Sequence, residues 1–145
     1  MALYLTEEVR GEIAGHGERG YPNEVCGLLL GKDEGGRRTI SALVPVENSF
    51  EADERFHRYL IAPEAMLRAE RLARQGGQDV LGVYHSHPDA PARPSLYDRD
   101  HAAWTTWSYV IVSVQDGRAA EMRAWKLRED RSEFDEEELK EWRLS

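Results

Sequence analysis

The 145-residue sequence has a single cysteine, Cys26, and no apolar run that approaches the ~20 residues of a membrane-spanning helix. One cysteine excludes a disulfide within the chain and agrees with a reducing compartment. The first eight residues also lack the basic and long apolar stretches of a secretory signal. We therefore expect a cytoplasmic protein that does not enter membranes.

Basic residues are scarce: 19 lysines and arginines stand against 27 acidic residues, for a net charge of −8. Because phosphate binding requires a basic face, this balance argues against nucleic acid as the main ligand. The charge is uneven, with seven acidic and three basic residues between 130 and 143. We interpret this acidic C-terminal segment, at about 130–145, as mainly solvated. Its apolar residues Phe134, Leu139 and Trp142 suggest that part of it packs against the domain.

Length and composition favour one domain over residues 1–145. Helical patterns follow Thr6 and Pro63, and a third helix is expected to run from Ser95 to about residue 104 or 105. Strands are predicted over 25–30, 38–46, 80–87, 109–114 and 120–127, and over 56–61, although His57 and Arg58 interrupt the last. These elements, with a hairpin signal at 116–117, indicate an α+β (mixed α/β) domain: a single curved mixed sheet flanked by two to three helices.

Two histidines, His85 and His87, follow the apolar run 80–84, which is typical of a buried strand. Side chains two positions apart on a strand project to the same face, so both imidazoles can converge on one point. Asp98, carried by the next helix, can supply a third ligand. Two histidines, one aspartate and an open fourth position are typical of a catalytic zinc site. The histidine pair is also compatible with an ordinary polar contact, and Ser95-x-x-Asp98 with a variant capping box.

The complete pattern is more specific than its parts. The string His-Ser-His-Pro at 85–88, followed by Ser95 and Asp98, resembles the signature of the JAMM (MPN-type) zinc metallopeptidases. The segment 23–31, with its Glu24, matches a glutamate-bearing segment that those enzymes carry early in the domain. The resemblance covers most of the chain and implies a JAMM/MPN-like fold, with a cytidine-deaminase-like architecture. It also implies one zinc ion per chain, held by His85, His87 and Asp98.

The resemblance assigns Glu24 as general base and Ser95 as the residue that stabilises the oxyanion. Zinc lowers the pKa of a bound water toward ~7, and the reaction then needs a base to move the proton. Composition alone would favour a surface glutamate, and Ser95 can be a helix cap as well as an oxyanion donor. Cys26, expected on the same strand face as Glu24, is interpreted as a small buried hydrophobe rather than a catalytic thiol. Asp89, Asp100 and His101 are candidate partners of the ligating histidines.

Three other interpretations compete with a zinc peptidase. A Ser-His-Asp triad built from Ser95, His85 and Asp98 leaves the second histidine without a role. A zinc deaminase needs His-x-Glu and Pro-Cys-x-x-Cys motifs, which the sequence lacks. A non-catalytic MPN-type interaction scaffold typically loses ligands, whereas this chain keeps all three and the glutamate.

The resemblance implies hydrolysis of a peptide or isopeptide bond after the C-terminal Gly-Gly of a ubiquitin-like or sulfur-carrier protein, for example with release of a C-terminal cysteine. The short loop 89–94 is similar to that of compact prokaryotic members, and it lacks the long insertions of eukaryotic deubiquitinases. Strand addition is the natural way to hold such an extended tail. The expected partner is therefore a small ubiquitin-fold protein.

Overall fold

The computed structural model describes residues 2–102 and 104–142. In chain order, these residues form β1 (Ala2–Thr6), α1 (Glu7–Gly20), β2 (Cys26–Glu34), β3 (Arg37–Val46), a 3₁₀ turn (Ala52–Glu54), α2 (Pro63–Gln75), β4 (Asp79–Pro88), α3 (Leu96–His101), β5 (Ser108–Gln115), β6 (Arg118–Leu127) and β7 (Phe134–Trp142). None of the described helices is long and apolar enough to cross a membrane.

The strands form one mixed sheet in the order β1-β3-β2-β4-β5-β6-β7. The sheet closes into a barrel because β1 pairs in parallel with both β3 and β7. β4 and β5 are also parallel, and the other neighbours are antiparallel. The prediction of a curved mixed sheet with helices against it is confirmed, and the curvature is complete.

Local signals explain where the two longer helices begin. The Oγ1 atom of Thr6 accepts a hydrogen bond of 3.2 Å from the backbone N–H of Val9, which caps α1, and two acidic residues follow in the first turn. Pro63 stands at the start of α2, where its missing N–H costs nothing. Both predicted helices are confirmed.

The helices α1 and α2 cover opposite faces of the sheet. In β2, Leu29 packs into the core cluster that contains Val9 and Ile13 of α1. Its neighbours in the strand, Leu28 and Leu30, pack into a second cluster with Ala69 and Ala73 of α2. Because β2 is buried on both faces, its apolar run is continuous rather than alternating.

Three predictions about elements are wrong or incomplete. Residues 56–61 form no strand, and α3 ends at His101 rather than near 104; Ala103 lies outside the described residues. The acidic segment was interpreted as mainly solvated, but it contributes β7. Its acids at 135, 136, 138 and 141 are exposed, and Phe134 and Leu139 pack against the core, as their apolar character suggested. β1 had no counterpart in the predictions, although Leu3 and Leu5 alternate as buried residues. Residues 143–145 of the acidic segment lie outside the described residues.

Candidate active site

The C-terminal end of β4 presents two buried histidines on one face. His85 is 1% exposed and His87 is 5% exposed, and their Nε2 atoms lie 3.0 Å apart. The carboxylate of Asp98, from α3, reaches the same point: its Oδ2 atom is 3.3 Å from Nε2 of His85 and 3.1 Å from Nε2 of His87. The structure therefore brings the three predicted ligands together.

A reciprocal capping box aims the Asp98 carboxylate. The Oγ atom of Ser95 accepts from the backbone N–H of Asp98 at 3.0 Å, and Oδ2 of Asp98 accepts from the backbone N–H of Ser95 at 2.9 Å. The cap fixes the rotation of the carboxylate, so that the same oxygen faces the histidines. The interpretation of Ser95 as a helix cap is confirmed.

Glu24 lies beside the histidines on an irregular segment, not on a strand. β2 begins at Cys26, so the expectation that Glu24 and Cys26 share a strand face is wrong. Val25 departs from the sheet pattern because its N–H donates to the side chain of Ser86 at 2.9 Å. Glu24 is 5% exposed, and its Oε1 atom has no hydrogen-bond partner among the described residues. One ligand atom from each of Glu24, His85 and His87 lies within 4.8 Å of the other two.

Burial and charge perturb the pKa values of all four groups. Burial raises the pKa of Glu24 to about 8, against the opposing effect of His87 and with a further rise from Asp98. Burial also lowers the pKa of His85. Burial raises the pKa of Asp98, but the two histidines together outweigh it and lower that pKa. Burial lowers the pKa of His87, but the hydrogen bond to Asp98, the charges of Asp98 and Glu24 and the hydrogen bond to Pro91 together outweigh it and raise that pKa. Such clustered shifts are typical of functional sites.

The hydrogen-bond inventory of this cluster favours a cation. Nδ1 of His87 lies 2.8 Å from the carbonyl oxygen of Pro91, which can only accept, so Nδ1 carries a proton and, in the neutral ring, Nε2 carries a lone pair. Asp98, with its lowered pKa, also contributes only acceptors. A single proton on Nε2 of His85 can satisfy only one of these two acceptors. A divalent cation satisfies all three atoms at once.

The spacing of the three atoms fits zinc. Ligand atoms about 2.0–2.1 Å from a tetrahedral Zn²⁺ are about 3.3–3.4 Å from one another. The Nε2 and Oδ2 atoms form a triangle with sides of 3.0, 3.1 and 3.3 Å. Nitrogen and carboxylate donors are also the types that zinc prefers. The residues present therefore fit the metal that the sequence suggested.

Sequence reasoning missed three groups that surround the ligands. The ring of Tyr59 stacks on His85 with centroids 4.4 Å apart, and the Pro91 carbonyl orients His87. Asn48 donates from Nδ2 to the Glu24 carbonyl oxygen at 2.9 Å. Of the three, only the Pro91 carbonyl had a signal in the sequence, since the proline-rich loop after His87 indicates a rigid backbone near that histidine. No local pattern marked the other two, since each acts across a long separation in sequence.

The proposed histidine partners have other contacts instead. Asp89 accepts from the Tyr21 hydroxyl and from the Asp116 N–H, and thereby ties the end of β4 to the β5–β6 turn. Asp100 pairs with the neighbouring Arg99 at 3.4 Å. The ring of His101 bonds to the Tyr97 carbonyl oxygen at 2.9 Å. These contacts are not with His85 or His87, so they do not support the three candidates as partners of the ligating histidines.

Cys26 is fully buried, and its Sγ atom lies 3.9 Å from the Val46 carbonyl oxygen. Burial, together with the nearby Glu24, raises the pKa of the Cys26 thiol to about 12. A thiol that stays protonated at neutral pH is a poor nucleophile. These observations support its interpretation as a small buried hydrophobe.

Two clefts reach the cluster. One, of about 350 Å³, is lined by Glu24, His87 and Ser95 together with Phe56 and the loop 88–94. The other, of about 270 Å³, reaches Asp98 and is mainly apolar, with Tyr59, Met66, Tyr97, Trp104 and Tyr109 among its lining residues. The general-base candidate and the oxyanion candidate thus face the same open groove.

A buried two-histidine, one-aspartate centre beside a carboxylate, at the C-terminal end of a strand in a closed mixed sheet, defines a metallohydrolase type of domain. Comparison with known proteins identifies which type. Residues 6–128 match the family described as prokaryotic homologs of the JAB domain. The chain belongs to this family, and the expected JAMM (MPN-type) resemblance is confirmed.

Named relatives cover most of the chain. It is 37% identical to a desampylase of Haloferax volcanii, over 80% of this chain and 83% of that protein. It is 33% identical to a probable TtuB-protein conjugate cleaving protease of Thermus thermophilus, over 82% of this chain and 75% of that protein. It is 28% identical to the CysO-cysteine peptidase of Mycobacterium tuberculosis, over 86% of this chain and 82% of that protein.

Solved structures agree on the fold. A protein of Desulfitobacterium hafniense superposes with a TM-score of 0.84 at 31% identity, over 99% of this chain and 94% of that one. A JAB1/MPN domain protein of Archaeoglobus fulgidus superposes with a TM-score of 0.59 at 17% identity, over 97% of each chain. The predicted JAMM/MPN-like fold is confirmed.

Proposed function

We propose that this protein is a zinc-dependent peptidase that hydrolyses the bond after the C-terminal Gly-Gly of a ubiquitin-like or sulfur-carrier protein. The observation that carries the proposal is the convergence of His85, His87 and Asp98 beside Glu24, whose Oε1 atom has no hydrogen-bond partner in the described part of the chain. The relatives named for cleaving such conjugates support the substrate class.

In this proposal His85, His87 and Asp98 hold one zinc ion per chain through Nε2, Nε2 and Oδ2. Zinc, when bound, supplies Lewis acidity and lowers the pKa of water from 15.7 to about 7. The Pro91 carbonyl selects the neutral tautomer of His87 whose Nε2 lone pair faces the metal position, and the Ser95 cap keeps the Asp98 oxygen in place. The ligand geometry is therefore set by the protein before the metal arrives.

Glu24 is the general base and then the general acid. Its carboxylate takes a proton from the attacking water, holds it as the neutral acid, and delivers it to the nitrogen of the leaving amine. Burial favours the neutral acid, since it raises the pKa of Glu24 toward the operating pH. The proton gained in the attack equals the proton lost to the amine, so Glu24 is regenerated.

Ser95 stabilises the oxyanion. The Oγ atom of Ser95 already accepts from the Asp98 N–H, which leaves its own O–H to donate elsewhere. A donor aimed at the carbonyl oxygen of the scissile bond becomes more stabilising as that oxygen gains charge. The Ser95 oxygen thus caps the helix as an acceptor, while the Ser95 hydrogen donates to the oxyanion.

The substrate tail is narrow. The groove that holds Glu24, His87 and Ser95 is bounded by the short loop 88–94, which offers little width. Glycines before the scissile bond lack Cβ atoms and let two backbones approach closely.

We place the reaction in the cytoplasm, because Cys26 is a free thiol. We treat residues 1–145 as one domain, because β7 pairs with β1.

Mass spectrometry of a ubiquitin-fold carrier extended by a cysteine beyond Gly-Gly tests the proposal. We expect cleavage directly after the second glycine, loss of cleavage on chelation, and recovery with zinc. The matched control is the same carrier with Ala-Ala. Equal cleavage of both carriers, or of an unstructured peptide as fast as the folded one, contradicts the proposal. Tight binding without any cleavage would indicate the scaffold alternative instead.

A further inference from the structure

Glu24 is held by a segment that is distant in sequence. Since it precedes β2, its backbone does not join the sheet ladder. Its N–H donates to the Arg55 carbonyl oxygen at 2.6 Å, and its own carbonyl accepts from Nδ2 of Asn48 at 2.9 Å. Both backbone polar groups of Glu24 therefore bind the segment 48–60, between β3 and α2. The position of the general base depends on that segment.

Asn48 organises this segment with its side chain. Its Nδ2 atom donates to the Glu24 and Arg58 carbonyl oxygens, both at 2.9 Å. Its Oδ1 atom accepts from the N–H groups of Phe50 and Leu60, at 3.0 and 3.1 Å. A carboxamide has two donor hydrogens and two acceptor sites, and here all four are used. One side chain thus joins the two ends of the segment to Glu24.

The same segment also contacts the metal ligands. The ring of Tyr59 stacks on His85, with centroids 4.4 Å apart. The guanidinium of Arg58 lies 4.5 Å from the centroid of Tyr97, the residue before Asp98, and Phe50 packs edge-to-face on the same ring at 6.0 Å. A shift of the segment would therefore change the distance between the base and the ligands.

We infer that Asn48 is a positioning residue that sets Glu24 relative to the metal ligands, an inference that rests on the proposed function. Aspartate at this position has no donor for the two carbonyl oxygens, and alanine has neither donor nor acceptor. A carboxylate displaced by about 1 Å from its reacting proton costs about 10²-fold in rate. Asn48 thus acts on the proton-transfer step without touching the substrate.

The experiment compares Asn48→Asp and Asn48→Ala with Asn23→Ala, a matched control at the exposed residue next to Glu24. For both Asn48 variants we expect kcat to fall about 10²-fold with KM and zinc content unchanged. The control keeps the wild-type kcat. In a Glu24→Gln background, Asn48→Ala should lower kcat by less than 3-fold, because the group that it positions is already disabled.

Two outcomes would overturn the inference. One is a fall in kcat in the Glu24→Gln background as large as in the wild type, which would indicate a general structural role. The other is an Asn48 variant with wild-type kcat while Glu24→Gln is inactive. A fully active Glu24→Gln enzyme would contradict the proposed function itself, so the two failures are distinguishable.

A measurement on the wild-type protein tests the inference even if the Asn48 variants do not fold. Because both Nδ2 hydrogens are engaged, the side-chain amide of Asn48 should exchange with solvent at least about 10-fold more slowly than that of Asn23 in NMR exchange experiments. Equal exchange rates would contradict the hydrogen bonds on which the inference depends.

Discussion

The Pro91 carbonyl orients the ring of His87, with its oxygen 2.8 Å from Nδ1. The carbonyls on either side of Pro91 are fixed too: Ala90 accepts from the Ser113 hydroxyl at 2.6 Å, and Ala92 from the Trp125 indole at 3.0 Å. The loop after β4 is therefore anchored to β5 and β6. A ligand held in this way needs little reorganisation to bind metal.

Substitution of the ligands tests their assignment. Purified protein should contain about one zinc per chain, and His87→Ala or Asp98→Ala should remove it, since two remaining ligands bind zinc weakly. The exposed His57 offers a matched control, and His57→Ala should retain full occupancy. Elemental analysis measures the content. Full zinc occupancy in Asp98→Ala would show that Glu24 completes the site in its place.

Glu24→Gln should keep zinc and substrate binding but lower kcat by about 10²–10⁴-fold, because an amide cannot carry the proton. The exposed Glu8 of α1 gives the control: Glu8→Gln makes the same chemical change on an element that carries none of the site residues, and it should leave kcat unaltered. Steady-state kinetics with zinc-loaded protein measures both. A Glu24→Gln enzyme with only a raised KM would place this residue in binding rather than in catalysis.

Zinc removal should make stability depend on pH through Glu24. The pKa of Glu24 is about 8 in the folded protein against an ordinary 4.5, so the folded state binds more protons between these values. The free energy of unfolding therefore falls as pH rises through this window, by at most about 1.4 kcal/mol per unit. Denaturant titrations of zinc-free wild type and Glu24→Gln isolate the effect, because the other groups are common to both. A difference that grows in favour of wild type with rising pH contradicts the shift.

Gly82 permits the close contact of β5 with β4, the strand that carries the two histidines. A Cβ atom at Gly82 would lie 1.9 Å from the Ser108 carbonyl oxygen, so Gly82→Ala should lower the free energy of unfolding by at least about 2 kcal/mol. At Gly11, in α1, a Cβ atom meets nothing within 4 Å, and Gly11→Ala should stabilise by about 0.5–1 kcal/mol. Thermal denaturation measures both, and a neutral Gly82→Ala would refute the strand spacing.

The site was more predictable than its supports. His85 and His87 follow from the period of a strand, and Ser95 with Asp98 from the spacing of a capping box; both are local patterns. Glu24 was found only through the family resemblance, because nothing local distinguishes it from a surface glutamate. Asn48 left no signal, since its function depends on a contact 24 positions away.

The errors in the fold have a similar cause. Residues 56–61 have the composition of a strand, but the closed order of the seven strands leaves no edge at which another could pair. The segment is held instead by Asn48. In the sequence of β7, the exposed acids hide the alternation that would have marked the buried Glu137 and the partly buried Leu139. The burial of Glu137 depends on its contacts with Arg38 and Ser108, which belong to other strands.

Closure of the sheet has a consequence for synthesis on the ribosome. β1 is made first, but one of its two partners, β7, is made more than 120 residues later. Until β7 has left the exit tunnel, β1 and β6 each keep an unpaired edge, the kind of surface that recruits strands from other chains. Pairing of β7 covers both edges and thereby removes two sites of aggregation. Before β7 pairs, its exposed acids repel those of other copies and so oppose pairing between chains.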